Sequence, residues 1–363
     1  MKKYDVAAYI WPSYTDRELR SHIFWPDGEG EWQSVRRATP KFEGHLQPRI
    51  PALGYKDEAL PETMEEQIEL ASSHGVNVFI YDWYWYDRRP FLECCLNDGF
   101  LKAKNRDKMK FYLMWANHDA GYTWDKRLSD DQTTQVWLGS VDRVQFDIVC
   151  DRVIEKYFSQ SNYYKIDGKP VFAIYDVDNL IKGLGGVDNA RAALEAFREK
   201  AVKAGHPGLE LQLILWGEHV HNITGVDGEH MYTSDIARAL GFDSTTNYQY
   251  VHFANIDRDY NEVMKDVVVE WEKFASFGVT YYPHVSVGWD NNPRFNSFRP
   301  GIMKNNTPEN IGKALEAAKE FADRHGVSLI TVNSWNEWTE MSYLLPDNVY
   351  GTGYLEEIKR IFG

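Results

Sequence analysis

The sequence is poor in cysteine. Its 363 residues include only three, Cys94, Cys95 and Cys150, of which two are adjacent and none forms a Cys-x-x-C pair. This pattern excludes the disulfide framework of a small secreted domain, and it gives no support for a redox or zinc site. We therefore predict that all three cysteines are small, buried, apolar residues.

The sequence also has little positive charge. There are 40 lysines and arginines against 54 aspartates and glutamates, a formal net charge of −14. A surface this acidic repels phosphate backbones, so nucleic acid is not an expected partner. No stretch approaches the roughly 18 uncharged apolar residues that a membrane-spanning helix needs, so no membrane span is expected either.

The N-terminus lacks the apolar core of a secretory signal. Met1-Lys2-Lys3-Tyr4-Asp5 is basic, but it leads directly into a strand-like run. Two localisations therefore stay open: the cytoplasm if Met1 is the native start, or the periplasm or cell exterior if a signal peptide has been removed. The oligomeric state stays open as well.

Aromatic side chains are abundant. The 13 Trp, 22 Tyr and 18 Phe residues make up 15% of the chain. Such side chains build hydrophobic cores, and their flat faces also stack on the apolar faces of sugar rings. Core formation explains most of the phenylalanines, but it explains less well a run such as Trp83-Tyr84-Trp85-Tyr86. These clusters therefore favour a sugar-binding surface in addition to a core.

Short apolar runs alternate with amphipathic segments along the whole chain. The runs are rich in Val, Ile, Tyr and Phe and are mostly continuously apolar, as are strands buried on both faces of a parallel sheet. Eight such strands with intervening helices predict an α/β fold, a (β/α)8 TIM barrel. The predicted strands are Val6–Ile10, Val76–Asp82, Lys110–Trp115, Val171–Tyr175, Leu211–Trp216, Ser244–Tyr248, Val279–Ser286 and Leu329–Ser334.

A doubly wound open sheet is the alternative fold. However, no glycine-rich phosphate-binding motif follows any predicted strand, and we interpret Gly183-Leu184-Gly185-Gly186 as a turn. A helix start is clear at Thr307-Pro308, where a hydroxyl cap precedes a proline. We predict a single domain over residues 1–363, with one long loop from Pro12 to Pro61 over the end of the first strand.

The functional side chains of a barrel lie at the C-terminal ends of its strands. Nearly every predicted strand end carries a Trp or Tyr beside a carboxylate or an amide, which combines stacking faces with hydrogen-bond partners for hydroxyl groups. We therefore predict a saccharide site. The predicted substrate-binding residues are Trp11, Tyr14, Asp82, Trp83, Trp85, Trp115, Asn117, His118, Tyr175, Trp216, Glu218, Tyr248, Trp289, Trp335, Asn336 and Trp338.

Glu337 and Glu340 are the predicted catalytic residues. Cleavage of a glycosidic bond usually needs two carboxyl groups, one protonated to assist the leaving group and one ionised. Residues three apart can project into one pocket if the chain turns there, and Trp335 and Trp338 are expected to lower the dielectric and raise a carboxyl pKa. Acidic first turns of helices show the same spacing, so the pair gains its weight from its place at the eighth strand end.

The best metal candidate is His219-Val220-His221, because alternate residues of a strand share a face. The spacing supplies no third ligand, and barrel metallohydrolases carry this motif on the first strand, where this chain has Tyr9-Ile10-Trp11. We therefore expect neither a metal nor an organic cofactor.

Three ordered blocks of the sequence resemble a known family. They are VFIYDWYWY at Val78–Tyr86, FYLMWAN at Phe111–Asn117 and WNEWTE at Trp335–Glu340, and Tyr343–Asp347 continues the pattern. Together they resemble the glycoside hydrolase family 99-like proteins, which include the WbsX-type proteins of bacterial polysaccharide loci. The similarity spans nearly the whole chain, and the Trp-Asn-Glu-Trp-x-Glu block is its most specific part.

This resemblance implies a (β/α)8 barrel that acts on α-linked glycans, of which α-mannosides are the best known. It also implies a retaining mechanism without a protein nucleophile, in which Glu337 is the base for the sugar's own 2-hydroxyl. Glu340 would protonate the leaving oxygen and then activate water. The chain departs from the family at Met341, where Gly is common, and at Leu345, where Glu often precedes the proline.

The sequence therefore predicts a glycoside hydrolase for α-linked glycans, such as α-mannosides or fragments of bacterial or plant polysaccharides. Two alternatives stay open. One is a glycosyltransferase of polysaccharide assembly, which would need a nucleotide–sugar or lipid–sugar donor. The other is a non-catalytic carbohydrate-binding barrel, in which the two glutamates only hold hydroxyl groups.

Overall fold

The computed structural model describes residues 4–122, 124, 134–222 and 230–363, and a curved parallel sheet lies at its centre. Its strands are β1 Asp5–Ile10, β2 Val78–Tyr86, β3 Lys110–Trp115, β4 Lys169–Ile174, β5 Glu210–Leu215, β6 Ser244–Asn247, β7 in two pieces at Thr280–Tyr281 and His284–Ser286, and β8 Leu329–Asn333. Each strand from β1 to β6 pairs with the next, and β8 pairs with the free edge of β1. All eight overlap the predicted strands, but β2 continues to Tyr86, past its predicted end at Asp82, and β7 is interrupted where the sequence predicts one continuous strand.

The interrupted strand β7 closes the sheet into a barrel. Its first piece pairs with β6 and its second piece pairs with β8. At the interruption, Tyr282 N donates to Thr245 O at 2.9 Å, while Thr331 N donates to Pro283 O at 3.1 Å. Proline has no N–H, so the break falls where a ladder bond cannot form. The predicted (β/α)8 barrel is confirmed.

Helices cover the outer face of the sheet, which explains why its strands are continuously apolar. The α-helices of the described residues are α1 Trp32–Arg37, α2 Pro61–Ser73, α3 Arg143–Val153, α4 Val177–Leu184, α5 Val187–Lys203, α6 Thr233–Ala239, α7 Tyr260–Ala275, α8 Pro308–His325 and α9 Gly353–Phe362. Shorter 3-10 or π turns lie at Leu19–Ile23, Cys95–Gly99, Phe100–Lys102, Arg106–Lys108, Ile154–Phe158, Tyr250–His252, Asn292–Arg294 and Trp338–Glu340.

Helix α8 begins as its sequence predicts. Thr307 Oγ1 accepts a hydrogen bond from Asn310 N at 3.4 Å, and Pro308 is the first helical residue. The glycine cluster before α5 differs from its interpretation as a turn. Its first two residues complete the last turn of α4, and only Gly185 and Gly186 connect the two helices.

The long connection between β1 and α2 is more ordered than the predicted loop. It contains the turn Leu19–Ile23 and helix α1. Gly30 within it has a φ of 61°, and a Cβ at this position would lie 2.0 Å from Ser13 O. Only glycine fits there. The next residue, Glu31, donates its N–H to Ser13 O at 3.1 Å and is fully buried.

Burial is confirmed for two of the three cysteines, whereas Cys94 differs from its prediction. Cys95 and Cys150 are buried, Cys94 is partly buried, and none of the three is in a disulfide. Burial raises the pKa of the Cys95 and Cys150 thiols, which keeps them unreactive. Separately, none of the helices in the described ranges is long and apolar enough to cross a bilayer.

Candidate active site

A short hairpin after β8 presents the two predicted catalytic glutamates. Asn336–Glu337 pairs with Ser342–Tyr343, and the 3-10 turn Trp338–Glu340 joins them. Because a 3-10 helix has three residues per turn, Glu337 and Glu340 lie one above the other on the same side. The turn ends at Met341 with a φ of 54°, a left-handed conformation that explains why glycine is common here in the family.

Arg294 holds both glutamates with the two ends of its guanidinium group. Its Nη1 lies 2.9 Å from Glu340 Oε1, and its Nη2 lies 3.3 Å from Glu337 Oε2. Its Nε donates to Thr339 Oγ1 at 2.8 Å, so the planar fork is fixed from three sides. Arg294 ends the turn after β7 and is only 7% exposed. The pair is therefore preorganised by a buried cation.

Glu31, from the long first connection, is a third carboxyl on the same guanidinium. Its Oε1 lies 3.5 Å from Arg294 Nη2 and accepts a hydrogen bond from Thr339 Oγ1 at 2.9 Å. Its Oε2 accepts the indole N–H of Trp11 and lies 3.3 Å from the Tyr14 hydroxyl. Trp11 and Tyr14, which the sequence predicts to bind substrate, are buried, and their polar atoms contact the Glu31 carboxyl.

Tyr248 contacts Glu337 Oε1, whereas Arg294 contacts Glu337 Oε2. Asp82 lies next to Tyr248. The Tyr248 hydroxyl is 2.9 Å from Asp82 Oδ2 and 3.2 Å from Glu337 Oε1. Asp82 is 3% exposed and Tyr248 is 8% exposed. The sequence predicts both residues as part of the site, and the structure brings them together with the catalytic pair.

The electrostatics of this cluster favour bound protons. Burial raises the pKa of Glu337 well above its usual value, Glu340 raises it further, and Arg294 opposes both. Burial also raises the pKa of Glu340 and of Glu31 against the same cation, and it raises that of Asp82 well above its usual value. Three of these buried carboxyls share one guanidinium group, and no cation among the described residues contacts Asp82, so burial disfavours the ionisation of all four together, which is the condition that an acid–base pair needs.

Aromatic rings lead from this cluster to the solvent. The Tyr175 ring lies 5.3 Å from that of Tyr248, and His118 and Trp216 contact Tyr175 in turn. Trp216 is 36% exposed and stacks on His252 at 4.6 Å. A cavity of about 170 Å³ opens beside Tyr175 and Trp216 at the ends of β4 and β5. These rings are the side chains best placed to stack on a sugar.

The tryptophans predicted at the end of β2 face away from the barrel mouth. Side chains alternate along a strand, so Asp82 and Tyr84 point inwards while Trp83 and Trp85 point towards the helices. The indole N–H of Trp83 donates to Glu93 at 2.7 Å, and that of Trp85 donates to Gln145 of α3 at 3.2 Å. Both side chains are therefore directed away from the carboxyl cluster, and the structure does not bring them together with it.

The structure places two further predicted tryptophans away from the carboxyl cluster as well. Trp115 packs on Phe146 of α3 with 6.0 Å between ring centroids. Trp335 packs on Phe79, and its indole N–H donates to Gln67 of α2 at 2.8 Å. Trp335 therefore does not flank the glutamates, and the raised pKa of the pair comes from burial. Tyr84, which sequence reasoning missed, takes the inward position and contacts His118 at 5.7 Å.

Three polar residues that the sequence predicts to bind substrate form hydrogen bonds to neighbouring segments of the chain. The Asn117 side chain exchanges two hydrogen bonds with the backbone of Asp176, at 2.7 and 2.8 Å. The Asn336 side chain does the same with the backbone of Trp11, at 2.8 and 2.9 Å. Glu218 accepts hydrogen bonds from the N–H and hydroxyl of Ser234, in the first turn of α6.

The last two predicted aromatic residues, Trp338 and Trp289, pack against other parts of the chain around the site. Trp338 is 1% exposed and stacks on Tyr343 with 3.9 Å between ring centroids. Trp289 is partly buried against the core, and its carbonyl oxygen accepts a hydrogen bond from Met303 N. Both support the chain around the site.

Sequence reasoning missed Arg294 and Glu31, the two residues that organise the pair. Neither lies in a segment of regular apolar periodicity, although Glu31 directly precedes Trp32 and Arg294 directly precedes Phe295. The available signals were a lone arginine after the seventh strand and Gly30 directly before Glu31. A buried acid cluster needs a cation, so a search for one near the strand ends could have found Arg294.

The two histidines considered as metal ligands make other contacts. His221 lies 2.7 Å from Asp178 Oδ1 and 2.9 Å from Thr233 Oγ1, and the His219 ring bonds the carbonyl oxygen of Trp216. In the part of the chain that the structure describes, no group of three or more His, Cys, Asp or Glu side chains is placed to hold a metal ion.

Comparison with known proteins places the whole chain in one family. The family model described as glycosyltransferase WbsX matches residues 6–358. The chain is also similar to the protein WxcX of two strains of Xanthomonas campestris pv. campestris, with 25% identity over 342 residues in each. That alignment covers 93% of this chain but only 46% of WxcX, so the chain spans less than half the length of the curated relatives it matches.

Solved structures share the fold at low sequence identity. The family 99 endo-α-mannosidase of Bacteroides thetaiotaomicron matches with a TM-score of 0.62 and 13% identity, over 98% of this chain and 95% of that one. A glycoside hydrolase-like protein matches with a TM-score of 0.61 and 14% identity, over 100% and 94%. A β-glucosidase of Thermotoga maritima matches with a TM-score of 0.53 and 9% identity, over 100% and 98%. The chain therefore has the barrel of glycoside hydrolases.

Proposed function

The chain belongs to the family described as glycosyltransferase WbsX, and from that premise we propose that it is a glycoside hydrolase. It cleaves α-linked glycans, such as α-mannosides or fragments of bacterial or plant polysaccharides, and retains the configuration of the sugar. One observation carries this proposal: Glu337 and Glu340 share one buried guanidinium group at the C-terminal end of a glycosidase-like barrel.

In the first step, Glu337 removes the proton of the sugar's 2-hydroxyl. The 2-oxygen attacks the anomeric carbon, the bond to the leaving oxygen breaks, and Glu340 gives its proton to that oxygen. The products are an anhydro sugar and the released glycan. Two features support these roles: Glu337 Oε1 lies within hydrogen-bond distance of the Tyr248 hydroxyl, and Glu340 Oε2 has no partner among the described residues.

In the second step, the ionised Glu340 removes a proton from water, and the water oxygen attacks the anomeric carbon. The bond from that carbon to the 2-oxygen breaks, and the 2-oxygen takes back its proton from Glu337. Both glutamates return to their starting state. Two inversions at one carbon give overall retention, and each proton transfer contributes about 10²–10⁴-fold to the rate.

A glycosyltransferase is the second candidate, because the family description names one. The same pair of glutamates could pass the sugar to an acceptor hydroxyl group in place of water. A nucleotide–sugar donor is disfavoured, because its diphosphate would approach the carboxyl groups of Asp82, Glu31, Glu337 and Glu340, where Arg294 is the one cation in contact among the described residues. A transferase reaction would therefore use a glycoside as donor.

The test is a screen of α-linked glycans with detection of released sugar. It compares the wild type, Glu337→Gln, Glu340→Gln and the control Glu218→Gln, whose side chain binds Ser234 at the rim. We expect cleavage in the wild type and the control, and a loss of about 10²–10⁴-fold in each of the other variants. Elongated products with an added acceptor would identify a transferase. Binding of a glycan without cleavage by the wild type would identify a non-catalytic barrel.

A further inference from the structure

The hydroxyl group of Tyr248 lies between two buried carboxyl groups. It is 2.9 Å from Asp82 Oδ2 and 3.2 Å from Glu337 Oε1. A phenol has only one hydrogen to donate. Two separate hydrogen bonds therefore form here only if one of the two carboxyl groups carries a proton and donates it to the Tyr248 oxygen; a single phenol hydrogen shared by two carboxylates would make a weaker, bifurcated bond.

The surroundings of the two carboxyls show which one holds the proton. Arg294 Nη2 lies 3.3 Å from Glu337 Oε2, so a positive charge stabilises ionised Glu337. Among the described residues no cation contacts Asp82, and its Oδ1 is buried without a hydrogen-bond partner. An unpaired buried carboxylate is strongly unfavourable, whereas the neutral acid is not. Burial raises the pKa of both carboxyls; Arg294 opposes this rise at Glu337, whereas at Asp82 it is opposed by the hydrogen bond from Tyr248 and not by a cation.

We propose that Asp82 is a protonated carboxylic acid in the resting protein and that it orients Tyr248. The acid hydrogen of Asp82 is donated to the Tyr248 oxygen, and the Tyr248 hydrogen is donated to Glu337. Asp82 is thus a positioning residue that acts through Tyr248 and keeps Glu337 ionised. Its consequence for the reaction rests on the proposed function, in which Glu337 is the base, but its protonation does not.

The titratable groups around Asp82 come from several elements of the barrel. They are Tyr9 on β1, Tyr84 on β2, Tyr175 after β4, Tyr248 after β6, and Glu337 and Glu340 in the hairpin after β8. All are tyrosines or carboxyls, so their negative charges, when present, add to the preference of Asp82 for its neutral form.

The first experiment needs no substrate. Infrared difference spectra between the wild type and Asp82→Asn at pH 7 report whether the lost group is an acid or a carboxylate. We expect the difference to show the carbonyl stretch of a protonated carboxylic acid in the wild type. Loss of a carboxylate doublet in its place overturns the proposal. The same difference is then measured between Tyr248→Phe and the double variant that also carries Asp82→Asn. This second difference checks the assignment of the band.

The second experiment uses the glycan that the screen identifies. Asn resembles the neutral acid, because its amide N–H can donate to the Tyr248 oxygen. We expect Asp82→Ala to lower cleavage about tenfold or more, since a hydrogen bond to a charged group is at stake, and Asp82→Asn to restore most of that loss. We expect Tyr248→Phe to shift the acidic limb of the pH profile to higher pH, because Glu337 loses a donor.

Asp82→Asn as inactive as Asp82→Ala would show that the negative charge of Asp82 is required and would overturn the proposal. If the wild type cleaves no glycan, the proposed function fails, and the infrared spectra still decide where the proton lies. The two failures are therefore distinguishable.

Discussion

The ends of β2 and β8 have similar compositions, but they direct different numbers of acids into the barrel mouth. Each carries tryptophans beside acids, as DWYW at Asp82–Trp85 and as WNEWTE at Trp335–Glu340. Strand β2 continues straight through its run, so successive side chains alternate and one acid enters the barrel mouth. After β8 the chain forms a tight hairpin with a 3-10 turn, and two acids three residues apart enter together.

The comparison shows that backbone periodicity, and not composition, selects the side chains that reach the site. In both regions the large indoles are buried against helices: Trp83 bonds Glu93, and Trp335 bonds Gln67. The polar side chains between them face the interior. Tryptophan at a strand end therefore indicates core packing at least as often as sugar stacking, and the acids carry the functional information.

Removing the cation on the β8 side is expected to have the largest effect. Arg294→Met leaves Glu31, Glu337 and Glu340 buried without their shared cation, which should lower the free energy of unfolding by about 3–5 kcal/mol. Without Arg294 the carboxyl pKa values rise further, so the loss should be greater at pH 8 than at pH 5, where the acids are protonated. Urea unfolding at both pH values measures it.

Arg294→Lys is the matched control. It keeps the charge but not the planar fork that spans Glu337 and Glu340, so we expect a smaller loss of stability and a large loss of cleavage. Equal stability losses at pH 5 and pH 8 for the methionine variant would contradict the idea that Arg294 holds ionised acids.

A second prediction separates buried tryptophans from the exposed one. Trp335→Ala should lower the free energy of unfolding by about 3–5 kcal/mol, because a large side chain leaves a cavity under α2. It should leave the KM of the folded fraction unchanged. Trp216→Ala should change stability by less than about 0.5 kcal/mol, since the side chain is partly exposed, and raise KM about 2–10-fold. The opposite pattern would mean that Trp335 contacts substrate.

How much of the fold and of the candidate site the sequence predicts depends on whether the signal lies within a short stretch of the sequence. All eight strands and the start of α8 follow from local periodicity and capping, and the prediction of Glu337 and Glu340 follows from their spacing together with their place at the eighth strand end. The partners of the pair do not. Arg294 and Glu31 reach it from irregular connections whose path is set by tertiary contacts, such as the close approach of Gly30 to Ser13. Tertiary packing, which no sequence window contains, determines these positions.

A third prediction concerns the support of the β8 hairpin from the first connection. Glu58 is buried and accepts hydrogen bonds from Gln67 and Asn336. Burial raises the pKa of Glu58 to about 7 from a usual 4.5. The folded protein therefore binds this proton more tightly than the unfolded chain. Relative to Glu58→Gln, the wild type should lose about 3 kcal/mol of stability as pH rises from about 4.5 to about 7, and no more above that.

Urea unfolding of the wild type and Glu58→Gln at pH 5 and pH 8 gives this difference directly. Other titrating groups are common to both proteins and cancel. Asp142→Asn, at the N-cap of α3 far from the hairpin, serves as a control for removing one carboxylate. If the stability curves of the wild type and the Glu58→Gln variant run parallel with pH, Glu58 has an ordinary pKa and the hairpin is not held by a protonated acid.

The smallest effect is expected at Glu218, an acid after the fifth strand that the sequence predicts to bind substrate. Glu218 is exposed and accepts hydrogen bonds from Ser234 N at 3.1 Å and Ser234 Oγ at 2.8 Å, in the first turn of α6. Glu218→Gln should therefore lower the free energy of unfolding by about 0.5–1 kcal/mol and leave KM unchanged. Thermal unfolding and KM on the identified glycan test this. An increase in KM without loss of stability would show that Glu218 binds substrate, and that the β5 end contributes an acid as the β2 and β8 ends do.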